Sequence, residues 1–252
     1  MARGLALLEA VAEASTPAMH RDLVEQTKLP KATVSRLLAT LQAHDYLRQV
    51  EGSEAFRLGP KTLHLGSAYL RQFDFREVAR LHLAALAEDS AANVHIGIRH
   101  GLDVLVIDTL RPRSALILSR MDIGSRMTIA TSASGRAYLA SLDSPERSAL
   151  MAEIQRADPK GWAHTRQRLD EALTEYESQG FCSSFGEWHP DIHALGFFLR
   201  SPQGETFAIS VGGPAFKLTK EWLLNSVAPR ILEVKRLVQA ESDTRPSSVV
   251  HK

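Results

Sequence analysis

Between Leu29 and Leu41 the chain reads Leu-Pro-Lys-Ala-Thr-Val-Ser-Arg-Leu-Leu-Ala-Thr-Leu, a spacing that predicts a helix with two unlike faces. Val34, Leu37, Leu38 and Leu41 recur at i, i+3, i+4 and i+7, and at about 100° per residue they form one stripe that has to pack inward. Ala32, Arg36, Ala39 and Ala43 take the opposite face. Small side chains there let a helix enter a major groove about 12 Å wide, and the planar Arg36 guanidinium fits guanine or phosphate. Lys31, Thr33 and Ser35 lie near the N-terminus, where hydroxyls and free backbone N–H groups suit phosphate contacts. These features together are those of a DNA recognition helix.

The flanking segments supply a frame for it. Leu5, Leu8 and Val11 or Ala12 predict a first helix, Thr16-Pro17 interrupts it, and His20 to Thr27 predicts a short second helix with Leu23 and Val24 inward. Lys28-Leu29-Pro30 is the turn, and Pro30 suits the first turn of the third helix because its missing N–H and fixed φ do no harm there. Tyr46 to Val50 and Ala55 to Leu58, joined by Glu51-Gly52-Ser53, predict a β-hairpin. Three helices and a hairpin make a winged helix-turn-helix, in which the second helix braces the third against DNA. Residues 1–61 hold eight Lys or Arg against seven Asp or Glu, so net charge alone does not mark a DNA binder. Placement does: Lys28, Lys31 and Arg36 stand in a stretch without acids, while Glu9, Glu13, Asp22 and Glu25 fall on the supporting helices. Arg3 and, on the wing, Arg57 are further candidates for phosphate or minor-groove contacts, and the modest charge implies two copies on a two-fold site. The competing reading is a winged-helix adaptor that binds proteins.

A chain of 252 residues with 44% apolar side chains exceeds such a module and has room for one further domain. The formal net charge of +1 excludes a general field for membranes or acidic partners. A single cysteine, Cys182, excludes an internal disulfide framework and a Cys-x-x-Cys knuckle. A cytoplasmic setting is expected, since no apolar run approaches the roughly 18 residues of a membrane span. Lys61 to Arg76, free of proline and carrying Leu63, Leu65, Ala68, Tyr69 and Leu70, predicts a helix linking two domains; residues 241–252 read as a loose tail.

From Val78 onward helices alternate with short strands. Val78 to Ser90 reads as helix; Asn93 to Ile98 and Val104 to Asp108 as strands around an Arg99-to-Asp103 turn; Ala115 to Arg120 as a third strand. Helices are expected over Ser134–Ser141, Pro145–Ile154, Arg166–Ser178 and Glu221–Gln239, with a hairpin of Ala194–Leu199 and Thr206–Val211. This predicts an α+β domain on one antiparallel sheet. Enzyme motifs are weak: Ser132-Ala-Ser134-Gly135 is no nucleophile elbow, no phosphate loop is present, and Pro190 separates His189 from His193, which argues against a zinc pair. Neither a catalytic nor a metal site is assigned. A sensor that works only through protein partners remains an alternative.

Taken in order, Arg3 to Glu9, Leu29 to Leu41, Phe56-Arg-Leu-Gly-Pro60, Ala130-Thr-Ser-Ala-Ser-Gly-Arg-Ala-Tyr-Leu-Ala140, Gly180-Phe181, Gly186-Glu187 and Ile209-Ser-Val-Gly-Gly-Pro214 resemble the isocitrate lyase regulator (IclR) family of bacterial transcription factors. The resemblance implies a winged helix-turn-helix over residues 1–60, a linking helix over 61–76 and a GAF-like effector-binding domain over 77–240. It further implies dimers and often tetramers, acting as repressor or activator on operator DNA, with no cofactor but a small-molecule effector. Carried over by position, the effector site is Ala133, Ser134 and Ser210, with Glu187, Trp188 and His193 from a loop closing over it. The family commonly has proline where Phe198 stands, and a small residue near His193. A helix start lined by small side chains suits a carboxylate, because unpaired amides and the helix dipole both favour an anion. Trp188, Phe185, Phe197 and Tyr138 suggest a pocket for an aromatic or other small organic acid.

Overall fold

The computed structural model describes residues 1–72, 74–113 and 121–244, which divide into two compact units, Met1–Phe73 and Asp74–Lys252. The first unit runs α1 Ala2–Glu13, β1 Ala18–Met19, α2 His20–Thr27, α3 Lys31–Ala43, β2 Leu47–Gln49, β3 Ala55–Leu58 and α4 Pro60–Leu70. Leu7, Ala10, Val11, Leu23, Val34, Leu38 and Leu47 form its core. Leu5 is exposed and Leu8 half-buried, so the inward stripe of α1 is Leu7, Ala10 and Val11, not the expected Leu5, Leu8 and Val11. Both stripes obey helical spacing, and the small Ala10 settles the choice by letting the helices close up. Pro30 sits one residue earlier than expected, at the cap of α3 with φ −58° and ψ 140°. Strand β1 pairs with β3, extending the hairpin to three strands in the order β1-β3-β2.

The expected single helix over residues 61–76 is two. Helix α4 stops at Leu70, Arg71 and Gln72 form a turn, and α5 spans Asp74–Ser90. Asp74 opens the second helix with a residue type that favours helix starts, a signal that the apolar spacing on either side obscures.

In the second unit, six strands among the described residues form one antiparallel sheet: β4 Asn93–His100, β5 Asp103–Leu110, β6 Arg126–Thr128, β7 Cys182–Phe185, β8 Ile192–Arg200 and β9 Thr206–Pro214. Their order, β6-β5-β4-β9-β8-β7, places β4 and β9 at the centre. The strand expected over Ala115–Arg120 lies outside the described residues. Helices α6 Ala133–Ser141, α7 Ser144–Ala157 and α8 Trp162–Gln179 cover one face over a core that includes Val104, Val106, Ile129, Leu139, Leu150 and Leu169. The expected last helix consists of α9 Lys220–Trp222, a π-helical turn Leu223–Val227 and α10 Ala228–Thr244. Pro229 accounts for the wide turn, because it has no N–H for the carbonyl four residues back and its ring crowds that carbonyl. Helix α10 takes in residues 241–244 of the expected loose tail.

Two glycines let the start of α6 lie directly on the sheet. A Cβ at Gly196 of β8 would come 2.1 Å from the Ala133 carbonyl oxygen, and one at Gly135 would come 2.3 Å from the Ile129 Cα. Gly196→Ala is therefore expected to cost about 1–3 kcal/mol in urea unfolding. Gly66→Ala in α4, where an added Cβ meets nothing within 4 Å, should leave stability unchanged or raise it by up to about 1 kcal/mol.

Candidate functional site

Helix α3 presents its two faces as the spacing requires. Val34 and Leu38 are buried, Leu37 and Leu41 half-buried, and Ala32, Arg36, Ala39 and Ala43 exposed. Lys31 and Arg36 face solvent, and among the described residues neither side chain has an ionic partner. Thr33 is half-buried in the first turn. The Ser35 hydroxyl is engaged: it lies 2.9 Å from His20 Nε2 and donates to the Lys31 carbonyl at 3.1 Å, which ties α3 to the start of α2. Arg3 is exposed at the head of α1.

The wing adds a residue that the sequence reading passed over. Arg48 stands directly opposite Arg57 across the β2–β3 ladder, and both are exposed. Its nearest acid, Asp45 Oδ1, is 4.0 Å away. Like charges facing one another across a ladder repel unless an anion joins them, and a phosphate backbone is such an anion. The signal was present in the sequence, since a hairpin turning at Gly52-Ser53 pairs position 48 with 57.

In the second unit the N-terminus of α6 borders a partly open cavity of about 40 Å³ between the helix and the centre of the sheet. Ser132 caps the helix, its hydroxyl accepting from Gly135 N at 3.1 Å. The amides of Ala133 and Ser134, at the first two helical positions, have no acceptor within the helix. Register fixes the rest of the wall. His95 of β4, Ser210 of β9 and Gly196 of β8 form one cross-strand row, while Asn93, Gly212 and Ala194 form the next on the same face. Ser134 and Ser210 both direct their hydroxyls at the Met127 sulfur, at 3.5 and 3.9 Å. A thioether is a weak acceptor, so both hydroxyls keep most of their donor capacity. Asn93 is 8% exposed and its Oδ1 has no hydrogen-bond partner. His95, also 8% exposed, lies with Nδ1 3.1 Å from Thr109 Oγ1. Burial, reinforced by the nearby Arg111 and only partly offset by Asp122, lowers its pKa to about 4. The ring is neutral at pH 7.

Of the residues carried over by resemblance, Ala133, Ser210 and Trp188 line this cavity, and Ser134 adjoins it through Met127. His193 does not reach it. Strand alternation sends Ala194 into the cavity and His193 to the other face, where its Nδ1 lies 3.0 Å from the Leu218 carbonyl and its ring meets Phe185 edge-on. Phe197 shares the parity of His193 and is fully buried, and Tyr138 packs into the helical core, so Trp188 is the one member of the expected aromatic set at the cavity wall.

Glu187 is a clamp beside the cavity. Its carboxylate pairs with the buried Arg136 of α6 and with Arg168 of α8, the latter at 2.7 Å. Burial opposes its ionisation, but hydrogen bonds from the two guanidiniums prevail and hold its pKa at about 2. Arg136 also donates to the Ser183 carbonyl at 2.9 Å, so the loop carrying Trp188 is anchored to the helix at the cavity mouth. Among the described residues no group of three or more His, Cys, Asp or Glu is placed to hold a metal ion.

An exposed cationic helix on a winged frame, together with a second unit that holds a small, mostly apolar cavity at a helix N-terminus, is the arrangement of a DNA-binding regulator with an effector domain. Residues 1–51 match the IclR helix-turn-helix domain and residues 67–239 match the C-terminal domain of bacterial IclR transcriptional regulators. The chain belongs to the IclR family of transcriptional regulators. It is 28% identical to the HTH-type transcriptional regulator TsaQ1/TsaQ2 of Comamonas testosteroni, over 99% of this chain and 91% of that protein. It is 25% identical to the transcriptional repressor IclR of Escherichia coli, over 97% and 90%. The crystal structure of an IclR family regulator from Brucella abortus superposes with a TM-score of 0.84 at 33% identity, covering 95% of this chain and 90% of that one. These relatives are regulators and not enzymes.

The depressed pKa of His95 sets an acid sensitivity. Below the ordinary value of 6.5 the unfolded chain takes up a proton that the folded chain refuses until about pH 4, so stability falls as pH drops through that window. Between pH 7 and pH 5 the loss is roughly 2 kcal/mol, and His95→Gln should flatten it in urea titrations at the two pH values. The Glu187 contribution is separate: it is complete above about pH 4.5 and is lost as pH falls toward about 2.

Proposed function

We propose that the chain acts in the cytoplasm as a homodimer or homotetramer on a roughly two-fold operator, and that a small organic acid bound at the start of α6 alters its DNA affinity. No cofactor beyond that effector is required. The observation that carries the effector half is the cavity at the α6 N-terminus, lined by Ala133 and Ser210, where the unpaired amides of a helix start favour a carboxylate. Lys31 and Arg36, with Arg48 and Arg57 on the wing, supply the DNA half, and Arg3 and Thr33 remain candidate contacts beside them. Ser35 is assigned to bracing α2 as well as to the backbone of DNA.

Self-association is supported by α4. None of its residues is buried, although Leu63 is 74% and Leu65 49% exposed, an apolar surface that a second copy would cover. Pairing also answers the modest charge of each DNA-binding unit, since two weak sites on one operator reinforce each other. Effector control then needs only that the acid bind one arrangement of the pair better than the other. A coupling of about 1–3 kcal/mol changes DNA affinity some 5- to 150-fold.

Fluorescence anisotropy with DNA from upstream of the chain's own reading frame tests the DNA half. Arg36→Ala should weaken specific binding by about 5- to 150-fold while leaving the circular dichroism spectrum unchanged. Equal binding by wild type and variant would favour a sensor acting through protein partners. In light scattering, Leu63→Asp should shift the protein toward monomer and weaken operator binding with it.

A further inference from the structure

His20 opens α2 and is half-buried, and its ring joins that helix to α3: Nε2 lies 2.9 Å from the Ser35 hydroxyl oxygen. The same hydroxyl donates to the Lys31 carbonyl at 3.1 Å. A hydroxyl has one proton to give, so with that proton on the Lys31 carbonyl the ring supplies the other bond as Nε2–H. The second ring nitrogen, Nδ1, has no hydrogen-bond partner among the described residues. In the neutral ring it carries a lone pair, and in the imidazolium it is a second donor.

Helix-turn-helix docking makes that difference matter. The N-terminal residues of the second helix reach base edges while the first helix crosses the phosphate backbone. Here those helices are α3 and α2, and His20 stands where the start of α2 is tied to the second turn of α3. A phosphate oxygen only accepts hydrogen bonds. It repels the lone pair of a neutral Nδ1 and receives a charge-assisted hydrogen bond from an imidazolium.

No acid of the chain takes the place of that phosphate. Helix α2 packs against α1, α3 and β1, and β1 pairs with β3. The acids on these elements are Glu9 and Glu13 of α1 with Asp22 and Glu25 of α2, and the cations are Arg3, Arg21, Lys31, Arg36 and Arg57. Asp22, the acid nearest in the chain, pairs with Arg21 at 3.2 Å. Among the described residues His20 has no ionic partner. A counter-ion for a charged ring has to come from outside the chain.

Resting on the reading of α3 as the DNA-reading helix, we infer that His20 is a further contact to the operator backbone and that its ring takes up a proton as DNA binds. The imidazolium then bridges a phosphate oxygen through Nδ1–H and Ser35 through Nε2–H. Imidazole changes charge between pH 5 and 8, so operator affinity is linked to pH across that range. The bound state favours the protonated ring. Affinity therefore rises as pH falls and weakens as pH rises.

The experiment is fluorescence anisotropy of the full chain on duplex DNA from upstream of its own reading frame, at pH 6 and pH 8 and at several salt concentrations. Wild type is expected to bind about three- to thirtyfold tighter at pH 6. Its affinity should also fall more steeply with salt at pH 6, by about 0.9 in the logarithmic slope for each phosphate gained. A His20 that only braced Ser35 would not move that slope. His20→Gln, which keeps an N–H for Ser35 but takes no charge, should lose most of the pH difference and show one slope at both pH values. His20→Arg, charged throughout, should hold at pH 8 the affinity that wild type reaches only at pH 6, and it decides the matter if His20→Gln does not fold. Specific wild-type binding without pH dependence, or a pH dependence undiminished in His20→Gln, would overturn the role of His20 and leave the DNA-binding reading in place. Absence of specific binding at either pH would overturn both.

Discussion

The second unit is organised around one close contact, the start of α6 pressed onto β8 at Gly196. Backbone meets backbone there without a side chain between, and Gly135 repeats the approach on the Ile129 side. A helix end buried in this way brings unpaired amides into the interior, and the structure has to answer for them. Ser132 satisfies one, and Ala133 at the first helical position lines the cavity. The far end of the same helix is answered by cations: Arg147 donates to the Ala140 and Leu142 carbonyls and Arg200 to that of Ser141. With its carbonyl end neutralised and its amide end left open, α6 aims its dipole into the cavity. The binding chemistry of the domain follows from that polarity.

The first unit works on the opposite economy of charge. Its acids Glu9, Glu13, Asp22 and Glu25 fall on α1 and α2, and Lys31 and Arg36 of α3 are left without ionic partners among the described residues. Val34 and Leu38 fix the rotation of α3 about its axis, so Arg36 is presented by burial on the other side of the helix and by no contact of its own. The serines of the two proposed sites have different duties. The Ser35 hydroxyl also holds α2 and α3 together, whereas Ser134 and Ser210 rest on the weak acceptor of a thioether.

What could be read in the sequence tracks how much of each element is local. Helices α2 and α3 were legible to within two residues, since caps, turns and apolar spacing all sit within a few positions. Strands β1, β6 and β7 are two to four residues long and take their conformation from partners distant in the chain, so no periodicity announces them. The resemblance located the loop and strand around His193 without fixing strand parity, and a shift of one residue moves a side chain to the other face. Phe197 was misplaced on the same ground. Asn93 and His95 passed unnoticed as pocket residues although the signal was there: two polar side chains two positions apart, hence on one face, at the head of a strand whose next positions are apolar or glycine up to Ile98.

Asn93 and His95 stand on β4, whose backbone is paired to β5 on one side and to β9 on the other. Exchanging their side chains leaves those ladders in place, and it leaves α3 untouched, since the DNA-reading surface belongs to a different compact unit. Descendants of this chain can therefore remodel the cavity wall at the head of one strand while keeping the set of genes they address, a separation of message from destination built into the architecture.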